Sequence, residues 1–392
     1  MKERSLLFTG FFIQLTTMSF GRFVYTLIMP SMMETLGFSP TRMGLLGTGI
    51  VAGYLLFSYG SGKCSNLIGP GRTVKLSVAL VQISLLCLGS FSRYTALLLA
   101  SIGLGAGAAG SYIPLIHMLN SRFASKGKAF GIVMGGAGAG IVLCGYLVPP
   151  LLSLSDTLGY RLSWYVAAAI NLIVLIAALY FLKTGGEALG RPAEDRKENI
   201  LDSYRGNAPL MLLTVIYFLL GFAYIIYVTY FGTYSMVETG YSERSTGVMW
   251  SLFGMNMIYA GLFWGMLADR SDKTTVVLII NAILMLSVGL VLVPLKPLFY
   301  VSTFLFGLAF MGYIILIASV MSGMVRTGDM GKIFGAATLV HGGGQVLGAF
   351  LGGYLYDVTG TFRLPFLLSL AVLLICLLLL FRLRRILRRR NA

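Results

Sequence analysis

Charge is scarce in this chain. Of its 392 residues only 11% are Asp, Glu, Lys or Arg, against about 25% in soluble domains. Acids are scarcer still, 14 against 30 basic residues, and there are only two histidines and four cysteines. Each scarcity excludes something. Cys64, Cys87, Cys144 and Cys376 stand singly in or beside apolar runs with no CxxC pair. They read as small core residues, not as a disulfide or metal framework. His117, near the end of an apolar run, and His341 have no ligand spacing, so no metal site is expected. Without a nucleophile–base pair or a metal cluster, a membrane enzyme acting on lipids is also disfavoured. No Walker-type loop exists to drive pumping by ATP hydrolysis. Gly105-Ala106-Gly107-Ala108-Ala109-Gly110 satisfies G-x-G-x-x-G. It lies inside an apolar run with no preceding strand or following acid, so the dinucleotide reading fails its context. No cofactor is expected.

Long apolar runs take the place of charge. Hydrophobic residues make up 57% of the chain, and mean hydropathy is +0.84. Runs long enough to cross about 30 Å of hydrocarbon at 1.5 Å per residue fall at roughly 6–33, 43–62, 74–91, 94–119, 129–151 and 161–183. Six more fall at about 209–235, 245–267, 274–294, 298–324, 332–356 and 363–382. Between the two sets lies a polar stretch of mixed charge, 184–208, which reads as a linker and not a domain. The first run continues to about Met33 with no small-residue cleavage site after it, so it is expected to be retained as a span. The expected fold class is therefore an all-α integral membrane protein of twelve transmembrane helices. They would form two six-helix bundles, 1–183 and 209–392, joined by the linker 184–208.

Orientation follows from Lys and Arg placement. With both termini cytoplasmic, six basic residues (Arg42, Arg93, Arg161, Arg244, Lys296 and Arg363) fall on the far side, Arg22 falls inside a span, and the other 23 of the 30 are cytoplasmic. That asymmetry fits the positive-inside rule and implies a multi-pass cell-membrane (inner-membrane) protein. The basic tail from Arg382 to Arg390 then reads as a juxtamembrane anchor for anionic lipid headgroups, with no nucleic-acid partner needed to explain it.

The two halves repeat. Gly127-Lys128-Ala129-Phe130-Gly131 matches Gly331-Lys332-Ile333-Phe334-Gly335, 204 residues later. Tyr160-Arg161-Leu162-Ser163-Trp164 matches Phe362-Arg363-Leu364-Pro365-Phe366, 202 later. Glu34-Thr35-Leu36-Gly37-Phe38-Ser39 matches Glu238-Thr239-Gly240-Tyr241-Ser242. Three matches in order at nearly one spacing imply two halves related in parallel, with a binding site expected at their interface near the bilayer midplane.

On these residues the chain resembles the major facilitator superfamily over all twelve expected spans. Gly265-Met266-Leu267-Ala268-Asp269-Arg270-Ser271-Asp272-Lys273 is similar to that family's G-x-x-x-D-R-x-G-K loop, with Asp272 in place of the second glycine. In the first half the acid of the equivalent loop has become Asn66 and the following base Leu67. The resemblance implies a cytoplasmic latch built on Gly265, Asp269, Arg270 and Lys273, in which the acid engages positive helix N-termini and holds one access state. Phe20-Gly21-Arg22-Phe23-Val24-Tyr25-Thr26 through Pro30 resembles the YbfB/YjiJ-type bacterial transporters. Gly135-Gly136-Ala137-Gly138-Ala139-Gly140 has a looser similarity to monocarboxylate and cyanate porters.

Arg22 is the residue that demands a function. A charge at the centre of a membrane helix costs about 3 kcal/mol on insertion scales, and Arg22 sits about 4 Å from the midpoint of its run. Counted as an α-helix, Gln14, Met18, Ser19, Arg22, Tyr25, Thr26 and Met29 share a stripe that reads as cavity-lining. The matching place in the second half is Ile225 or Ile226, so the repeat does not require the charge. None of the 14 acids lies near the centre of a run. This disfavours a carrier of cationic drugs or of protons on a buried carboxylate and points to a small organic anion, for which guanidinium offers a bidentate fork. Further candidates are Tyr54, Tyr224, Tyr227, Asn256 and Tyr313, with His341 and Gln345 four apart on one face. A neutral histidine can carry a proton near pH 7, which makes His341 a symport candidate. For the histidine and the tyrosines, packing with one satisfied hydrogen bond is the competing reading. Gly103/Gly107, Gly131/Gly135 and Gly136/Gly140 are expected to let helices approach closely. The expected function is a monomeric secondary transporter of a small organic anion, with a carboxylate favoured, working by alternating access with optional proton coupling. The alternative is an efflux device or sensor for lipophilic compounds in which Arg22 is structural.

Overall fold

The structure is a computed structural model that describes residues 3–123, 126–182, 203–325 and 330–391. Most of the expected linker, 184–202, therefore lies outside the described residues. No strand occurs among those described. The first run is not one α-helix. It is α1 (Glu3–Gln14), a π-helical segment Leu15–Phe23, and α2 (Tyr25–Leu36). There follow α3 (Pro40–Ile68), α4 (Pro70–Ser90), α5 (Tyr94–Arg122), α6 (Lys126–Leu152) and α7 (Gly159–Phe181). The later helices are α8 (Ala208–Thr233), extended by a π turn Tyr234–Glu238, then α9 (Glu243–Asp269), α10 (Lys273–Val291), α11 (Lys296–Ser322), α12 (Met330–Thr359) and α13 (Arg363–Asn391).

Among the described residues ten helices are long and apolar enough to cross a membrane. α3 passes the same test only when its two parts, Pro40–Ser58 and Gly60–Ile68, bent by 47°, are taken together. The π segment divides the first run into pieces too short to qualify singly. Apolar side chains stand on the outside of several helices, with Ile173 69% and Tyr180 79% exposed on α7. Such ridges suit lipid and not water.

The chain divides into two compact units, Met1–Glu194 with Thr229–Ile258, and Asp195–Val228 with Tyr259–Ala392. In the first unit one buried cluster joins Leu6 and Ile13 of α1, in the first half of the first run, Val74 and Val78 at the start of α4, Leu115 and Leu119 at the end of α5, Val133 at the start of α6, and Val174 and Leu182 at the end of α7. Starts and ends can meet in one layer only if successive crossings run in opposite directions. The opposite layer is tied by polar contacts. Arg161 donates to the Gly89 and Ser90 carbonyls at 2.9 and 3.0 Å and to Ser92 Oγ at 2.6 Å, while Thr35 Oγ1 donates to Asp156 O at 2.9 Å.

The second unit uses the same devices. Ser287 and Ser302 exchange hydroxyl-to-carbonyl bonds of 2.9 and 2.8 Å between α10 and α11. Asn281 Nδ2 donates to Leu373 O at 3.0 Å, and Trp264 Nε1 to Leu308 O at 2.7 Å with Gly312 lying beneath the indole. The repeat is visible in burial: Tyr160 and Trp164 in one unit and Phe362 and Phe366 in the other are all fully buried.

Small residues set the helix spacing, though not at every expected pair. Gly136 lies on the Phe11 carbonyl, Gly140 on Leu15 O and Ser19, Gly105 on Ile50 O, and Gly107 on Ser77 O and Val81. Gly103 lies on Ser84 Oγ. The Gly131/Gly135 expectation is not met. A Cβ at Gly131 would meet open space and one at Gly135 only ordinary van der Waals contact at 3.9 Å. The interhelix seam of α6 begins one residue later, at Gly136. Cys144 and Cys376 are buried as expected, but Cys64 and Cys87 are only partly so.

A bulky side chain at Gly105 must push α5 away from α3, an overpacking cost of about 1–3 kcal/mol or more. Gly105→Val is therefore expected to lower the thermal unfolding temperature of the purified protein. Gly62→Ala, where nothing lies within 4 Å, is expected to be neutral or slightly stabilising. Equal effects of the two substitutions would contradict the seam.

Candidate functional site

The winding around Arg22 is the first thing the sequence did not disclose. A π-helix is rare, is usually a single turn, and recurs at functional sites. Here it runs for nine residues and carries Arg22 in its last turn. Val24 N bonds to Ser19 O at 2.9 Å, an i→i−5 step. Local hydroxyls help to hold the widened ladder. Thr17 Oγ1 donates to Ile13 O at 2.8 Å, and Thr16 Oγ1 to Phe12 O and Ile13 O at 3.3 Å each. This is the back-bonding that bends helices. Ser19 Oγ donates to Ala137 O of α6 at 2.6 Å, and Ser111 Oγ of α5 donates to Thr17 Oγ1 at 2.9 Å. The α-helical stripe expected through Arg22 is consequently broken, because π winding turns less per residue and sends Ser19 into the seam with α6.

Arg22 is partly buried, with its guanidinium carbon 5.1 Å from the Tyr54 ring centroid and 5.9 Å from that of Phe23. Such a contact is worth about 0.5–2 kcal/mol, most where water is excluded. The close approach of α3 to α5 at Gly53 and Gly105 brings the Tyr54 turn inward. The structure thus brings Arg22 and Tyr54 together. Tyr25 is buried, and its hydroxyl donates to Met43 O at 2.7 Å, tying α2 to α3. Gln14 is 0% exposed, and neither its Oε1 nor its Nε2 has a hydrogen-bond partner among the described residues. An amide left in that state in an apolar interior costs about 1–3 kcal/mol. Asn256, in the same unit, is buried and donates Nδ2 to Leu252 O one turn back at 2.9 Å.

The second unit holds the other candidates. His341, 4% exposed on α12, lies parallel to Tyr217 at a centroid distance of 3.9 Å and to Tyr224 at 5.6 Å. His341 Nδ1 is 2.7 Å from Tyr217 O. A carbonyl oxygen only accepts, so Nδ1 carries the proton and Nε2 is the basic nitrogen of the neutral ring. Gly221 makes the fit possible, since a Cβ there would lie 2.8 Å from His341 Nδ1. Phe310 meets Tyr224 edge-on at 5.0 Å and is itself stacked on Phe306 at 6.0 Å.

Tyr227 packs on Phe306 at 4.0 Å, and its hydroxyl shares a 2.7 Å bond with Ser302 Oγ. Tyr313 is buried with no hydrogen-bond partner for its hydroxyl among the described residues. Gln345 is buried one turn beyond His341. Tyr217 and Gly221 were missed in the sequence, although Tyr217, Gly221 and Tyr224 share a helix face by their spacing and could have been read from it.

The loop after α9 explains its own departure from the family pattern. Asp272 caps α10, accepting from Thr274 N at 3.2 Å, Thr274 Oγ1 at 2.9 Å and Thr275 Oγ1 at 2.6 Å. Its Oδ2 lies 3.4 Å from Arg384 Nε. Burial alone would raise its carboxyl. The bonds from Thr275 and Thr274, with the Arg384 charge, outweigh that and hold it below the usual carboxylate range. Asp269, Arg270 and Lys273 are exposed, and Gly265 faces open space.

A carboxyl held low adds stability that is present above its ordinary pKa and is lost as pH falls through its folded value. Asp272→Ala is thus expected to lower thermal stability at pH 7, by about 0.5–2 kcal/mol from the lost cap. The difference from wild type is expected to shrink as the pH approaches 3. A pH-independent difference in unfolding temperature would refute this.

Comparison with known proteins adds the following. The family described as "Uncharacterised MFS-type transporter YbfB" matches residues 14–381. The hexuronate transporter of Bacillus subtilis (strain 168) is 25% identical over 364 residues, 87% of this chain and 85% of that protein. Among solved structures, a mutant of the nucleoside transporter NupG has a TM-score of 0.81 at 15% identity, covering 96% of this chain and 99% of the other. The D-xylose-proton symporter has a TM-score of 0.79 at 14% identity, covering 96% and 97%. At such identities the solved structures share the fold alone.

Proposed function

We propose a substrate class on one premise: this chain belongs to the YbfB-type family of major facilitator superfamily transporters. It moves a small organic anion, a carboxylate of the size and polarity of a sugar acid, by alternating access. The twelve-span, six-plus-six arrangement with the linker 184–208 and both termini cytoplasmic is its working organisation. The observation that carries the reading is Arg22, a permanent cation in the middle of the first apolar run, set over Tyr54, in a chain whose 14 acids all lie away from run centres. The Tyr54 ring faces the charge, and a guanidinium edge has the geometry to match a carboxylate bidentately. A relative that is a hexuronate transporter supports an anionic sugar as the first probe.

Gln14 supplies a buried amide able to donate and accept, as sugar hydroxyls require. Tyr25, Tyr54 and Asn256 add polar groups in the same unit, and Gln345 with Tyr224, Tyr227 and Tyr313 forms the polar and aromatic set of the second unit. His341 carries the coupling proton: Nε2 is basic, and the resulting imidazolium lies against two tyrosine faces that favour a cation. Asp269 and Arg270, with Gly265 and Lys273, form the latch that biases one access state.

Stabilisation of the purified protein by hexuronates is the direct test. Hexuronate is expected to raise the unfolding temperature of the wild type. In Arg22→Ala, a loss of about 2 kcal/mol or more corresponds to roughly 30-fold weaker binding. Stabilisation by lipophilic cations alone, unchanged in Arg22→Ala, would reject the anion reading. For the proton, His341→Gln in proteoliposomes is expected to keep substrate exchange but lose accumulation driven by a pH gradient. Retained gradient-driven accumulation would remove His341 from that role.

A further inference from the structure

The last helix does not end where its apolar run ends. α13 continues to Asn391 without interruption, carrying Arg382, Arg384, Arg385, Arg388 and Arg389 beyond the span. Nor is this extension a free tail. Leu380 and Leu383 are fully buried at the same level, and Arg384 contacts Asp272 at the start of α10. That contact is electrostatic only: Arg384 Nε is buried and has no hydrogen-bond acceptor among the described residues. Phe381, Arg384, Arg385, Arg388 and Arg389 together line a hollow of about 500 Å³.

A single exposed stripe leads into this hollow. Leu374 (48% exposed), Leu378 (61%) and Phe381 (53%) are followed by exposed Arg385 and Arg388. Their spacing of four, three, four and three residues keeps all five on one helix face. The stripe is apolar along the span and doubly basic just beyond it, with Arg384 and Arg389 beside it. That is the profile of one phospholipid, with acyl chain along the leucines and phosphate among the guanidinium groups, whose fork suits phosphate oxygens.

We propose that this hollow is a binding site for the phosphate headgroup of an anionic phospholipid in the leaflet where the last helix emerges. Inorganic phosphate has the same headgroup chemistry, but the exposed Leu374, Leu378 and Phe381 below the arginines give a reason for the lipid. Arg384 lines the hollow beside Arg385, Arg388 and Arg389, and its Nε side is held against Asp272. The site stands apart from the transport reading and does not depend on it.

The test uses the full chain purified in a non-ionic detergent and titrated with phosphatidylglycerol, phosphatidylcholine or inorganic phosphate. Retained lipid is read by native mass spectrometry, and unfolding temperature is read in parallel. Phosphatidylglycerol is expected to be retained and to stabilise, and the other two are not. Arg385→Gln combined with Arg388→Gln is expected to weaken that effect about tenfold, while the corresponding double Lys variant keeps most of it. Both arginines are exposed, so the Gln pair should leave the lipid-free unfolding temperature unchanged. If it does not, Phe381→Ala serves as the second variant and is expected to weaken lipid retention. Equal retention of phosphatidylcholine, undiminished binding in the variant, or equal stabilisation by inorganic phosphate would each overturn the lipid site.

Discussion

Inside a bilayer's hydrocarbon no water is at hand to satisfy an N–H, a C=O or a charge, so each must find its partner in the protein or in what the protein carries. The segment around Arg22 lives under that constraint. Its π winding widens the backbone ladder, and Thr16 and Thr17 hold the carbonyls before it with their hydroxyls. Ser19 spends its hydroxyl on Ala137 O. The guanidinium meets the faces of Tyr54 and Phe23. Gln14, one residue before the π segment, has an amide with no such answer. Polar groups are gathered here where they are most expensive, which is the physical reason for treating the first run as functional and not as a wall.

The same constraint shapes the rest through close packing. Lipid does not drive helices together as water does, so small residues and short polar links hold them. Gly136 and Gly140 seat α6 on the first run, and Gly105 seats α5 on α3. In the second unit Gly221 lets His341 nest against α8, and reciprocal serines lock α10 to α11. These seams set where the aromatic rings and the guanidinium sit.

Much of this was legible in the sequence because apolar length, charge placement and repetition are one-dimensional signals. Ten of the expected spans and the repeat that pairs the Tyr160 motif with the Phe362 motif could be read from the chain. What could not be read was winding. Counting by 3.6 put Ser19 on a stripe with Arg22, whereas π geometry turns it into a helix seam. Gly131 and Gly136 look equivalent in sequence, yet only Gly136 meets a neighbouring backbone, because register is set by packing. Asp272 looked like a lapse from the family motif. Its three threonine bonds and the Arg384 contact show a helix cap placed where the family has glycine.

The central claim is that Arg22 recognises a substrate carboxylate. It is tested most directly by uptake into proteoliposomes of a labelled hexuronate beside its isosteric, uncharged amide, for the wild type and Arg22→Gln. The account predicts that the wild type moves the acid and not the amide, and that Arg22→Gln loses this preference. Equal transport of acid and amide by the wild type, or an unchanged preference in Arg22→Gln, would contradict it.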